Sequence, residues 1–384
     1  MPRPSGRPGS PLRPLEPKYA LAWSYTRHRM LRECERAVFW QYFGSRGLGL
    51  RDGDPAGARA FALRHLTTLP LLVGTAVHAA ARRVVEAVVE RRAVPPIEEL
   101  LAGARFTLNQ AWRNSQPDLI DRFWRYPAAH NALLEIVYRG ALRPAEITRA
   151  SGRLRDCLDA LTDAPVLDDL RACGAADVWL APDAFPVSFD PAPGQLAWGA
   201  VDFAYRHSPD AGGTSAPGAP AAPTWCVADW KTGSSGSPDD ESLQLATYGL
   251  WLRARGFPDT DGVYLGRIID LARREDRFYV LDRALLDRAR AAIAEDLARL
   301  RGLMRDRERV LPRSKAEWHL AADVRGCPRC RFYGLCLTDL ASRRGPGAPE
   351  GRGLRGAPGV TVYDTPGAGG GDTDDGDDAD DAPR

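Results

Sequence analysis

The stretch Val227-Ala228-Asp229-Trp230-Lys231-Thr232-Gly233 decides how the fold of this chain is interpreted. An apolar run leads into an acid and an amine two residues apart, and Gly233 then allows the chain to turn. If the run is a β-strand, Asp229 and Lys231 project from one face and Trp230 from the other. An acid beside an amine can hold a divalent cation and a water molecule next to each other. The alternative is an ordinary surface Asp and Lys at a strand end.

The lysine in this stretch is unusual for the chain. Lys and Arg together number 52, but the lysines are only Lys18, Lys231 and Lys315. Arg is therefore the default cation. A lysine at position 231 indicates a site that uses a compact point charge, which a planar guanidinium does not supply.

Length and composition indicate a globular protein without a membrane span. The chain has 384 residues, of which 44% are hydrophobic and 27% charged, so it can bury one large core or two ordinary ones. Its Pro- and Arg-rich start has no apolar signal segment, and no run of about 18 apolar residues occurs. We therefore expect no membrane partner and a cytoplasmic location. There the seven cysteines suit burial, metal binding or catalysis better than disulfides.

Charge is distributed unevenly along the chain. The net charge is only +2, yet residues 341–384 are rich in Gly and Asp, and we predict a disordered acidic tail there. Residues 1–20 are predicted to be a disordered basic arm. The body between them is more basic than the total suggests. Such a body suits a polyanionic partner such as DNA, although genome composition explains the same Arg enrichment.

The first half of the chain is predicted to be helical. Ser24 is a candidate cap for a helix that contains Cys34, and Gly74 opens a second, longer helix. His78 lies at the edge of the apolar stripe of this second helix, a position where a lone histidine is usually structural. Residues 97–170 are helical throughout, with prolines as breaks, and form a helical insertion or a lid over the strands.

Strands and a further helix follow this helical block. One strand is predicted over residues 197–205, where Asp202 stands in an apolar run and is costly unless paired or metal-bound. The next strand carries Asp229, so a hairpin would bring the two carboxylates close together. In the helix after Gly233, Gln244 and Tyr248 are four residues apart and share one face.

Three of the cysteines are clustered near the end of the predicted ordered chain. Cys327, Cys330 and Cys336 form the pattern C-x2-C-x5-C, which chance explains poorly. Three thiolates are one short of a tetrahedral site. The candidates for the fourth ligand are Cys34, Cys157, Cys173 and Cys226. The spacing alone does not separate zinc from an iron–sulfur cluster.

Taken in order, these motifs resemble the PD-(D/E)XK nuclease superfamily, in particular its RecB-like branch with the Cas4 exonucleases and the AddB nuclease domain. The shared order is a cysteine in the first helix, G-x-x-x-H, G-x-V-D, D-W-K-T-G, Q-x-x-x-Y and the cysteine pattern. The resemblance covers residues 21–340 as one nuclease domain, with 97–170 as an unmatched helical insertion and 327–336 as an iron–sulfur segment. It implies an α/β fold with a restriction-endonuclease-like core, in which helices flank a mixed central sheet.

The resemblance also implies a role for individual residues. The ligands of Mg²⁺ or Mn²⁺ would be His78, Asp202, Asp229 and the main-chain carbonyl of Trp230. The catalytic residues would be Asp202, Asp229 and Lys231. The residues that support the site and contact DNA would be Gln244 and Tyr248. A [4Fe–4S] cluster, structural in role, would join the first helix to the C-terminal segment through Cys34, Cys327, Cys330 and Cys336.

The function that the resemblance implies is a Mg²⁺- or Mn²⁺-dependent deoxyribonuclease. It would be an exonuclease on single-stranded DNA or DNA ends, in repair, recombination or CRISPR adaptation. A second interpretation is a nuclease-fold protein that binds DNA or a helicase without cutting, and a third is an unrelated zinc protein. The sequence has no G-x-x-x-x-G-K-[ST] motif, so ATP-driven unwinding would need a partner such as a helicase.

Overall fold

The computed structural model describes residues 21–46, 55–181, 187–209, 218–233 and 236–342. The predicted basic arm lies outside these ranges. The predicted acidic tail also lies outside them, apart from its first two residues, which belong to the last helix.

The helices in these ranges are α1 (Tyr25–Glu33), α2 (Glu35–Tyr42), α3 (Pro55–Leu63), α4 (Leu69–Val89), α5 (Ile97–Asn114), α6 (Ile120–Arg125), α7 (Leu134–Arg139), α8 (Pro144–Thr162), α9 (Val166–Ala172), α10 (Pro238–Ala254), α11 (Arg283–Gly302) and α12 (Tyr333–Ser342). The strands are β1 (Ala22–Ser24), β2 (Leu66–Thr67), β3 (Ala132–Leu133), β4 (Val178–Leu180), β5 (Val187–Phe189), β6 (Leu196–Gly199), β7 (Phe203–His207), β8 (Thr224–Lys231), β9 (Tyr264–Asp270), β10 (Glu275–Leu281), β11 (Met304–Asp306) and β12 (Leu311–Pro312). None of the described helices is both long and apolar enough to cross a lipid bilayer.

The central sheet has the strand order β10-β9-β8-β7-β4. β8 and β9 run parallel and the other neighbours are antiparallel, so the sheet is mixed. β8 lies in the middle and is buried along its length up to Lys231, as expected for an apolar strand that is covered on both faces. The predicted α/β class, with helices flanking a mixed sheet, is confirmed.

Alternation along β8 assigns its side chains to two apolar clusters. Ala228 and Trp230 pack in a cluster with α4, α8 and α9. Val227 packs on the other face with α10 and α11. Asp229 and Lys231 share the face of Val227 and therefore point toward α10. The predicted separation of these two residues from Trp230 is confirmed.

The strand predicted over residues 197–205 is wrong as a single element. The chain breaks between β6 and β7, and Asp202 lies in the break. β6 pairs with β1 and β5 in a separate three-stranded sheet, whereas β7 pairs with β8 in the central sheet. The periodicity does not reveal the break, because both halves of the run are apolar and both alternate.

The first helix is interrupted as well. Ser24 caps α1 as predicted, since its hydroxyl accepts a hydrogen bond from the N–H of Arg27 at 3.2 Å. The sequence places Cys34 within this helix, but its backbone is extended, with φ −164° and ψ 107°, and it separates α1 from α2. The first turn of α2 is bonded to a distant segment, because the N–H of Arg36 donates to the carbonyl of His319 at 2.9 Å.

The helical block predicted over residues 97–170 is present as α5 to α9, with the short strand β3 paired to β2. α4 begins at Leu69, before the predicted start at Gly74, because the Thr68 hydroxyl caps it by accepting a backbone N–H of the first turn at 3.3 Å. α5 and α8 pack against α4 through apolar side chains. The block is therefore joined to the helix that carries His78.

We predict opposite effects of one added methyl group at two glycines. A Cβ built on Gly266, in β9, would lie 2.9 Å from Cδ1 of Leu245 on α10. Gly266→Ala should therefore lower the free energy of unfolding by about 1–3 kcal/mol through overpacking. Gly152, inside α8, has nothing within 4 Å, so Gly152→Ala should raise it by about 0.5–1 kcal/mol. Urea denaturation measures both, and changes of the same sign would contradict this packing.

Candidate functional site

The two acidic residues meet at the open end of the β7–β8 ladder. Phe203 lies opposite Ala228, so Asp202, which precedes Phe203, comes level with Asp229. The Oδ2 atom of Asp202 accepts a hydrogen bond from the backbone N–H of Trp230 at 2.9 Å. The Asp202 carboxylate therefore accepts the hydrogen bond that a carbonyl of β7 would accept if the β7–β8 pairing continued. The predicted hairpin and the closeness of the two carboxylates are confirmed.

Asp229 is a buried carboxylate beside a lysine. Its exposed fraction is 4%, and its Oδ2 lies 2.6 Å from the Nζ of Lys231. Among the described residues the Lys231 ammonium is the group that neutralises Oδ2. Burial raises the pKa of Asp229. The Lys231 ammonium opposes this and the Asp202 carboxylate adds to it, so the net shift is upward.

Gln244 connects the acid and the amine from α10. Its Oε1 accepts from Lys231 Nζ at 2.8 Å, and its Nε2 donates to Asp229 Oδ1 at 3.1 Å. Electrostatics fixes this amide orientation, because the reverse would set an oxygen against the carboxylate and an NH₂ against the ammonium. Nε2 also donates to the Tyr248 hydroxyl at 2.8 Å, and that hydroxyl donates to the carbonyl of Ala200 at 2.9 Å. The predicted shared face of Gln244 and Tyr248 is confirmed.

His78 reaches the same site from α4. Its Nδ1 lies 3.0 Å from Oδ1 of Asp202, and its side chain is 36% exposed. Burial lowers the pKa of His78, but the Asp202 carboxylate, aided by Asp229, outweighs burial and raises the pKa to about 9. In this arrangement the imidazole is protonated at neutral pH and donates to Asp202. It would have to lose that proton in order to bind a metal ion.

The donor set at this site fits a hard divalent cation. Two carboxylates supply oxygen ligands, one of them with a buried oxygen that only the Lys231 ammonium contacts among the described residues, and oxygen-rich sites favour Mg²⁺ or Mn²⁺. Within the described part of the chain, however, no three His, Cys, Asp or Glu side chains are arranged to hold an ion. His78 is paired with Asp202, and Lys231 with Asp229. A bound cation would take over the neutralisation that the imidazolium and the ammonium provide here.

Tyr25, at the start of α1, is a neighbour of the site that the sequence analysis missed. Its pKa is raised to about 12 by burial first and then by the carboxylates of Asp240 and Asp229. Tyr25 also packs against the apolar cluster that contains Val227 and Tyr248, on the face of the sheet that α10 covers. No local signal could have found it, because α1 and β8 are far apart in the sequence.

Four cysteines belong to a third apolar cluster, which includes residues of α2 and α12. Cys336 is buried in this cluster, and Cys34, Cys327 and Cys330 pack against it. The remaining cysteines all pack in the cluster between the central sheet and α4, and they are Cys157, Cys173 and Cys226. Of the four candidates for a fourth ligand, only Cys34 therefore lies with the C-x2-C-x5-C segment.

The four thiols have the right number and type of donors for a metal centre. Burial raises the pKa of Cys330 to about 11 and that of Cys336 to about 12, and a charge on Cys34 would raise both further. In the region that the structure describes, no three of the thiols lie at metal-binding separations. Metal binding would have to draw them together and release their protons.

Polar contacts join the same two segments independently of any cofactor. Glu35 and Arg36, at the start of α2, are buried. The Oε2 of Glu35 accepts from the N–H of His319 at 3.0 Å, and the Nε of Arg36 donates to the carbonyl of Trp318 at 2.9 Å. Arg36 also forms an ion pair with Asp339 of α12. α2 is therefore fixed to the C-terminal segment by hydrogen bonds and charge.

Comparison with known proteins adds no assignment to this geometry. Neither the protein-family models nor the curated proteins give a match to the chain.

Tyr248→Phe tests the hydrogen-bond network around the buried acid. The lost hydroxyl bonds to Gln244 and Ala200 and lies 3.3 Å from Asp229 Oδ1. We expect the free energy of unfolding to fall by about 1–3 kcal/mol, because buried polar partners lose a hydrogen bond. In the control Tyr126→Phe the residue is 60% exposed, and the change should stay within about 0.5 kcal/mol. Urea denaturation gives both values, and equal effects would argue against the network.

Proposed function

We propose that this protein is a metal-dependent deoxyribonuclease. The observation that carries the proposal is the meeting of Asp202, Asp229 and Lys231 at the open end of the β7–β8 ladder. Phosphodiester hydrolysis needs a hard cation and a fixed positive charge beside the reacting phosphate. Two acids with an ammonium next to them offer both. The RecB-like affiliation and the restriction-endonuclease-like core, which the motifs imply, belong to the same proposal.

The metal ligands in this proposal are Asp202, Asp229, His78 and the carbonyl of Trp230. Mg²⁺ or Mn²⁺ bound there would lower the pKa of a water molecule and neutralise phosphate oxygens. Asp202 and Asp229 carry the negative charge that selects a divalent cation. Because Asp229 is buried and fixed by Gln244, its carboxylate needs little rearrangement on binding.

Lys231 would act on the phosphate directly. Gln244 Oε1 fixes its ammonium, so the positive charge stands ready without reorganisation when charge develops on the phosphate. Tyr248 holds Gln244 in turn. The side chain of Lys231 is 22% exposed, which leaves it access to a substrate at the end of the sheet.

The proposed substrate is single-stranded DNA or DNA ends, cut as an exonuclease would cut them. Support comes from the Arg-rich body, which suits a polyanion, and from the exposed side of the site at His78. The setting would be repair, recombination or CRISPR adaptation, with a helicase or an adaptation protein as partner.

We propose in addition that Cys34, Cys327, Cys330 and Cys336 bind a [4Fe–4S] cluster with a structural role. Their shared apolar cluster and the separate location of the other cysteines support this set. The residues would supply four thiolates from two distant parts of the chain. The acidic site does not depend on them for any ligand.

The second candidate function is a nuclease-fold protein that binds DNA or a helicase without cutting. The observation that favours it is the mutual pairing of His78 with Asp202 and of Lys231 with Asp229, with no three ligands together among the described residues. The two candidates differ in cleavage under Mg²⁺ or Mn²⁺.

Substitution of the central acid or the amine should abolish cleavage. We expect Asp229→Ala and Lys231→Ala to slow cleavage of end-labelled single-stranded DNA by at least about 100-fold, because each removes charge that stabilises the transition state. Lys231→Arg should cleave little faster than Lys231→Ala, since a planar guanidinium does not replace a compact ammonium at this spacing. Assays with Mg²⁺ and with Mn²⁺ measure the rates.

The matched control is Lys315→Ala. Lys315 pairs with Asp339 in the C-terminal segment and should leave the cleavage rate unchanged. Circular dichroism verifies that each variant is folded. Cleavage by Lys231→Ala at the rate of the control would contradict the mechanism. Absence of cleavage by the unaltered protein with either metal would favour the second candidate.

Loss of one cysteine ligand should remove iron. We expect anaerobically purified protein to be brown and Cys330→Ser to be colourless, with the free energy of unfolding lowered by at least about 2 kcal/mol because a crosslink is lost. Cys173→Ala is the control, since Cys173 packs in the other cluster, and it should keep its iron. Metal analysis distinguishes the outcomes: zinc in place of iron, or full iron in Cys330→Ser, would refute the cluster.

A further inference from the structure

The helical block supplies a guanidinium next to the acidic site. The Cys157 thiol of α8 lies 4.0 Å from the carbonyl of Thr232. One turn earlier on α8, the Nη1 of Arg153 lies 3.7 Å from the position that a Cβ would occupy on Gly233. Thr232 and Gly233 directly follow Lys231 in the sequence. Arg153 therefore stands at the turn by which the chain leaves the site.

Arg153 has no ion-pair or hydrogen-bond partner among the residues that the structure describes. Two arginines that precede α8 are engaged, since Arg139, at the end of α7, and Arg143 both pair with Glu146. Arg153 is half-buried. A guanidinium without a counter-charge can bind an anion without first breaking an ion pair. Arg153 is therefore available to bind an anionic ligand.

A cavity of about 110 Å³ beside Arg153 gives such a ligand room. It lies between the start of α4 and α8, and Arg149 lines it together with Arg153. The two arginines are four residues apart and share one helix face. Of the acids in the lining, Glu146 is already paired, whereas Glu135 keeps one oxygen without a partner. A phosphate would therefore occupy the part of the cavity lined by Arg149 and Arg153, away from Glu135.

We infer that Arg153 binds a phosphate of the DNA strand next to the one that is cleaved. This rests on the proposed nuclease function. Two residues of extended chain span about 6–7 Å, so the turn at Gly233 is displaced along the strand from Lys231. A DNA strand that crosses the end of the sheet, from the α10 face of Lys231 to the α8 face of Arg153, would then present successive phosphates to the ammonium and the guanidinium. Arg153 can donate two parallel N–H hydrogen bonds to one phosphate. Arg149 adds positive charge on the same face of α8.

The test measures DNA binding without cleavage. A fluorescein-labelled single-stranded oligonucleotide is titrated with protein in EDTA, over a series of KCl concentrations, for the unaltered protein, Arg153→Ala, Arg153→Lys and Arg155→Ala. Arg155 is exposed and lies two residues on, toward the opposite face of α8, which makes it a matched control. Thermal unfolding is followed in parallel.

We expect Arg153→Ala to bind about tenfold more weakly, with a salt slope shallower by about 0.7, the value for one phosphate contact to a single strand. Arg153→Lys should keep the salt slope of the unaltered protein and bind more tightly than Arg153→Ala, because lysine keeps the charge but not the two parallel N–H donors of arginine. Arg155→Ala should match the unaltered protein. In cleavage assays Arg153→Ala should raise KM more than it lowers kcat, as expected for a contact made before and during the reaction.

Three results would overturn the inference. If Arg153→Ala matches Arg155→Ala while the unaltered protein binds and cleaves DNA, this contact is wrong and the nuclease function stands. If Arg153→Ala loses affinity with an unchanged salt slope, its effect is structural and the phosphate contact is wrong. If the unaltered protein neither binds nor cleaves DNA, the inference and the proposed function both fail.

Discussion

A buried carboxylate near the end of the central strand is the constraint on which this site depends. Asp229 is 4% exposed, and a charge in that position is tolerated only if it is paired and hydrogen-bonded. Lys231 supplies the charge and Gln244 a hydrogen bond, and Tyr248 holds Gln244. Removing one member leaves the others with unsatisfied polar atoms in a low dielectric. The four side chains therefore depend on one another for their hydrogen bonds and charge pairing. Their geometry is fixed before any ligand binds.

The break between β6 and β7 lets helices on opposite faces of the sheet serve one site. α10 covers the face of Asp229 and α4 covers the other. If β7 continued through Asp202, its backbone would separate the two faces at this point. Because β7 begins only at Phe203, the carboxylate of Asp202 can accept from His78 with one oxygen and from the N–H of Trp230 with the other. The break before β7 therefore allows Asp202 to contact both His78 and the backbone of Trp230.

Local rules predict the parts of the site that lie on a single element. Alternation along β8 gives the direction of Asp229, and the four-residue spacing on α10 gives the face of Gln244. Local rules do not predict which sheet β6 and β7 join, because that depends on distant strands. The start of β7 at Phe203 therefore could not be predicted from the sequence pattern. Tyr25 and Arg153 reach the site from helices far away in sequence, and only tertiary packing brings them there. The sequence therefore predicts the acid, amine and amide better than it predicts what surrounds them.

The cysteine segment bears on the acidic site through the first two helices. Glu35 and Arg36 already fix α2 to the C-terminal segment, so a cofactor is not needed to bring these parts together. A cofactor would instead turn thiols of high pKa into bound thiolates and add a crosslink that spans most of the chain, which restricts the unfolded state. α1 directly precedes Cys34 and begins at Tyr25, which packs against the apolar cluster of Val227 and Tyr248 on the face of Asp229. Anchoring α2 therefore also limits how far α1 can move away from the acids, which links the stability of the C-terminal segment to the shape of the site.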